Sequence, residues 1–108
     1  MDKSTDLEIC KRIAEIEGAK ETLYSYSNFN TPKELTAVFD SSTVFNYNPL
    51  TDDALCFKLM IKYKISLIQH QNNTAVYCIW DHDQKHATNT MTNPNRAICT
   101  AIIKSKEQ

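Results

Sequence analysis

Apolar residues recur at three- and four-residue spacing in three stretches of this chain and alternate with polar ones in others. Leu7, Cys10, Ile13 and Ala14, with Ile9 and Ile16 widening the stripe, predict a helix over about 6–17. Thr5 and Glu8 make a capping box at its start, and Gly18 supplies the left-handed position past its end. A second stripe joins Leu55, Cys56, Leu59, Met60 and Tyr63. Thr51 is the expected cap of that helix, and Asp52 and Asp53 put negative charge in its first turn. Lys58, Lys62 and Lys64 fall at or near the opposite face and the C-terminal end. The last helix starts with Asn93 as cap and Pro94 at the first helical position, and buries Ala97, Ile98, Ala101 and Ile102.

Between the second and third helices, 65–70 and 74–80 read as two strands of a hairpin around a polar turn, 71–73. Val76, Cys78 and Trp80 share one face and Ala75, Tyr77 and Ile79 the other, which predicts a largely covered strand. The stretch 21–46 supports two readings. Thr22–Ser27 alternates as a strand should; Pro32 then opens either a short helical turn through Ala37, capped by Thr31, or a second strand at 35–39 pairing back on the first. Ser41 and Ser42 make a turn, and Thr43–Phe45 is extended. The order α-β-β-α-β-β-α lacks the regular alternation that builds a parallel sheet. An α+β fold is expected, with a small antiparallel β-sheet packed against two to three α-helices in a single domain over 1–108.

Composition narrows the chemistry. At 42% apolar and 23% charged, the 108 residues suit a globular chain rather than a disordered one. A net charge of −1 argues against nucleic acid as a partner. With Gly18 as the only glycine, no phosphate-cradling loop, dinucleotide fingerprint or nucleophile elbow can be built, and no cofactor is expected. Cys10, Cys56, Cys78 and Cys99 form no C-x-x-C pair and each falls in an apolar stripe or strand, so they are expected as buried, reduced thiols. The chain opens into a charged helix pattern rather than a signal peptide, and no apolar run approaches the length of a membrane span, so a cytoplasmic protein is expected.

The most chemical-looking stretch is Asp81-His82-Asp83-Gln84-Lys85-His86. His82 and His86 are weak candidates for a Zn²⁺ or Ni²⁺ site, but the segment has no helical pattern to place both imidazoles on one face, so it reads as a solvated loop. His70, beside a turn, reads as an exposed edge residue. Tyr24 and Tyr26 share one strand face and, with Trp80, are the candidate binding residues. They suit a protein interface, or a stacking platform for single-stranded bases on an open sheet face with Lys20 and Lys33 nearby. No catalytic set is recognisable as a local signature; a metal-dependent or hydrolytic enzyme using His82, His86 and the flanking aspartates is the lesser alternative.

Two segments resemble known proteins. Tyr47-Asn48-Pro49-Leu50-Thr51-Asp52-Asp53-Ala54-Leu55 with Leu59-Met60-Ile61-Lys62-Tyr63, and Asn93-Pro94-Asn95-Arg96-Ala97-Ile98-Cys99 with Ala101-Ile102-Ile103, are similar to small proteins of phages and prophages of enteric bacteria, within the NinX-like family of unknown function. The Trp-Ala pair typical of that family near the N-terminus is absent here. The resemblance implies an accessory phage gene product in the bacterial cytoplasm and carries over no catalytic residue. Together with the excluded chemistries, it leads to the expectation of a non-enzymatic protein that binds a host or phage protein, or a second copy of itself, through an exposed apolar patch.

Overall fold

A computed structural model describes residues 3–26, 32–69, 76–80 and 91–107. Three helices and two small antiparallel sheets form there in the expected α-β-β-α-β-β-α order, with one additional two-residue strand. The chain divides into two compact units, 1–48 and 49–108.

In the first unit, helix α1 (Lys3–Ile16) lies against strand β2 (Pro32–Val38) and, less extensively, β1 (Glu21–Tyr26). Leu7, Cys10, Ile13 and Ala14 are buried as their spacing requires, facing Leu35 and Ala37. The helix begins before the expected capping box, so Thr5 is inside its first turn rather than at its cap. Lys3 and Ser4 contain no helix breaker and the hydrogen-bonded spiral extends through them. Its other end is as expected. Gly18 has φ +97°, its N–H donates to the Glu15 carbonyl (3.1 Å) and the Ala19 N–H donates to that of Ala14 (3.0 Å), the pair of bonds of a Schellman motif.

The helical turn after Pro32 does not form. β2 pairs antiparallel with β1, Leu23 opposite Thr36 and Tyr24 opposite Leu35, with a bulge between Ser25 and Tyr26. Proline is tolerated as the first strand residue, and pairing with β1 satisfies backbone groups that one helical turn would leave open. On its other edge β2 pairs with β3 (Thr43–Val44), across a turn closed by Phe39 N–H to the Ser42 carbonyl (2.8 Å). Tyr47 is buried beyond it, its N–H on the Leu35 carbonyl (2.7 Å) and its ring 6.0 Å from that of Phe39. The Cys10 thiol donates to Asn48 Oδ1 at 3.3 Å.

In the second unit, helix α2 (Asp53–Lys62) and helix α3 (Pro94–Glu107) pack together, and α3 also covers strand β5 (Val76–Ile79). β5 pairs antiparallel with β4 (Ser66–Gln69), Leu67 opposite Cys78, as the hairpin pattern predicts; the 71–73 turn lies outside the described residues. A bridge between Val76 and Met91 gives β5 a second neighbour, in keeping with its apolar character on both faces. Ala97, Ile98, Cys99, Ala101 and Ile102 are buried along α3, and Asn93 Oδ1 accepts the Arg96 N–H (3.2 Å) as the expected cap.

The cap of α2 is Asp52, not Thr51. Its carboxylate accepts the Leu55 N–H at 3.1 Å. Both residue types can cap; the carboxylate also meets the positive end of the helix dipole. At the C-terminus Lys64 takes φ +56°, with its N–H on the Ile61 carbonyl (3.2 Å) and the Ile65 N–H on that of Met60 (3.0 Å). This is a second Schellman ending, built on a lysine where glycine is usual.

The two endings predict opposite outcomes. A Cβ at Gly18 would meet no atom within 4 Å, so Gly18→Ala costs about 1 kcal/mol from the left-handed backbone alone. Lys64→Gly relieves the same strain and raises stability by up to about 1 kcal/mol. Urea unfolding of the two variants checks both signs.

Candidate protein-binding face

α2 carries apolar residues over most of its circumference, and its packing sorts them. Cys56 and Leu59 are buried, with Leu55, Met60 and Tyr63 at the margins. Tyr63, the C-cap, lies under the ammonium groups of Lys62 (5.5 Å to the ring centroid) and Lys106 (5.1 Å), which ties the C-terminal ends of α2 and α3 together. At the N-terminal ends the tie is Asn95, whose Nδ2 donates to the Leu50 carbonyl (3.2 Å) and to Asp53 Oδ1 (2.8 Å). The Cys56 thiol donates to the Asn95 carbonyl at 3.8 Å. The two Asn-Pro segments thus converge on Asn95, through residues that follow Pro49 and Pro94.

With its inner face held this way, α2 turns Phe57 and Ile61 outward, 57% and 60% exposed. They are four residues apart, one turn of helix, so with exposed Ala54 they form one apolar strip. Lys58 and Lys62 run along one flank of the strip and Asp53 lies on the other. The lysines fall on the outer side of α2 as their positions predict, and Phe57 and Ile61 lie beside them on that same side. The signal was available: Phe57 and Ile61 widen the apolar arc of α2 beyond what one buried stripe needs.

The other candidates are placed differently. Tyr24 and Tyr26 do come together, edge to face at 6.4 Å between centroids and 75° between planes. Tyr24 stands opposite buried Leu35, on the face that α1 covers, and is half-buried, whereas Tyr26, beyond the bulge, is 56% exposed. Burial raises the pKa of the half-buried Tyr24, with further contributions from Glu8, Tyr26, Cys10 and Glu15. Trp80 is half-buried directly after β5. His70, His82 and His86 lie outside the described residues. Among the described residues, no three His, Cys, Asp or Glu side chains are grouped to hold a metal ion.

The cysteines are all free and buried, as expected. Three of them gather in the second unit. A hydrogen bond from Cys99 lowers the Cys56 pKa, against the opposing effects of burial and of Asp53 and Asp52. Burial, with Cys56 nearby, pushes Cys78 up to about 12. A lowered pKa favours the nucleophilic thiolate, but Cys56 is only 1% exposed, so it is a packed thiol without access for a substrate.

Comparison of the chain with protein-family models, with curated proteins and with solved structures finds no match. Among the described residues, no helix is long and apolar enough to cross a membrane.

Cys78 sets a pH dependence. Its folded-state pKa of about 12 lies above the ordinary thiol value of 9.0, so its contribution is complete below pH 9 and is lost as pH rises toward 12. In that window the wild type should lose stability more steeply than Cys78→Ala, by about 1.4 kcal/mol per pH unit for the one proton involved. Denaturant unfolding of both proteins at several alkaline pH values measures the difference.

Proposed function

We propose that this protein is a phage or prophage accessory protein of the bacterial cytoplasm that works, without catalysing a reaction, by binding another protein through the outer face of α2. The observation that carries the reading is the exposure of Phe57 and Ile61 side by side on a helix whose other face is packed in a core. Leaving such residues in water forgoes roughly 1.5–3 kcal/mol of burial for each, a cost that a partner covering them recovers. Their lysine flank fits the polar rim around an apolar centre that protein interfaces show. The phage setting rests on the resemblance of the segments at 47–63 and 93–103. Single-stranded nucleic acid is disfavoured as the partner by the net charge of −1.

Purified protein immobilised at low density should retain a partner from phage-infected enterobacterial lysate. Ile61→Lys, which charges one end of the strip without touching the core, should lose at least tenfold of that retention while melting like the wild type. Equal capture by wild type and Ile61→Lys would remove this face from the function.

A further inference from the structure

The α2 strip has the spacing of a coiled-coil seam. With Asp53 at heptad position g, Ala54 falls at a, Phe57 at d, Lys58 at e and Ile61 at the next a. The a and d residues are the exposed apolar ones, and Leu59 and Cys56, which point to their own core, fall at f and c, away from the seam. In a parallel two-fold pair each g residue faces the e residue five positions on in its partner, and here those are an aspartate and a lysine. Both are exposed. An antiparallel pair brings like flanks together, setting Lys58 toward its own symmetry mate.

We infer that the occupant of the α2 face is a second copy of this chain, paired helix to helix in parallel about a two-fold axis, with Ala54, Phe57 and Ile61 in the seam and Asp53 opposite Lys58 of the other copy on both sides. The inference rests on the reading of α2 as a protein-binding face and specifies its partner. Charge complementarity selects that partner: the strip is flanked by one sign on each side, and under a parallel two-fold axis it presents each sign to its opposite. α2 has 10 residues, roughly 15 Å of helix, so the seam is short and the dimer is a weak one, in reversible exchange with monomer.

Sedimentation of the full chain from roughly 10 μM to 1 mM should show a reversible monomer–dimer equilibrium. Lys58→Glu, at an exposed position, turns both attractive pairs repulsive and should weaken the dimer about tenfold, with thermal unfolding unchanged at concentrations where the wild type is monomeric. Ile61→Cys should form a disulfide-linked dimer on air oxidation, because a parallel seam sets each residue 61 beside its mate. An antiparallel seam sets residue 61 opposite residue 54, so that Ile61→Cys mixed with Ala54→Cys would cross-link instead. A monomer throughout the concentration range, a dimer indifferent to Lys58→Glu, or cross-linking of the mixed pair alone overturns the inference. If the protein is monomeric yet captures another protein in an Ile61-dependent way, the α2 face remains a binding face with a different occupant. A dimer indifferent to both Lys58→Glu and Ile61→Lys overturns the inference and removes the face from self-association as well.

Discussion

The rotation of α2 about its own axis decides which of its apolar residues are core and which are surface, and Asn95 holds that rotation. Its side chain joins the Leu50 carbonyl just ahead of the helix to the Asp53 carboxylate at its first residue, while its carbonyl receives the Cys56 thiol. A helix that is apolar nearly all round has several rotations of similar burial available to it, and only specific polar contacts separate them. The contacts here are directional and come from one residue of α3, so they select the face that packs against α3. Cys56 and Leu59 turn inward as a result, and Phe57 and Ile61 have nowhere to go but out.

Polar punctuation was the most legible layer of this chain. Asn93-Pro94 placed the start of α3 to the residue, and Gly18 placed the end of α1, because each answers a local geometric demand with few other solutions. Where two residues could satisfy the same demand, sequence did not choose correctly. Thr51 and Asp52 are both good caps, and the one used is Asp52, whose carboxylate accepts the Leu55 N–H. Lys64 was not foreseen as a second helix stop, since a lysine does not announce a left-handed backbone.

Longer-range choices were less readable. Pro32 opens a strand because β1 lies alongside to accept pairing, and no property of 32–37 alone distinguishes that from a helical turn. The two tyrosines meet ring to ring, but which face α1 would cover is a tertiary fact: Tyr24 lies opposite buried Leu35, while Tyr26, past the bulge, stays 56% exposed. The candidate binding strip is the clearest case. All seven of Leu55, Cys56, Phe57, Leu59, Met60, Ile61 and Tyr63 are apolar enough for a core, and the division among them follows from packing against α3.

Paired charge insertions measure the orientation of α2 most directly. Leu59→Lys and Ile61→Lys add the same side chain to the same helix two residues apart. Thermal unfolding should show Leu59→Lys strongly destabilised or unfolded, because it buries an ammonium at a position only 2% exposed, and Ile61→Lys melting within a few degrees of the wild type. If Ile61→Lys collapses the protein while Leu59→Lys is tolerated, α2 is turned the other way and the strip proposed as its binding face belongs to the core.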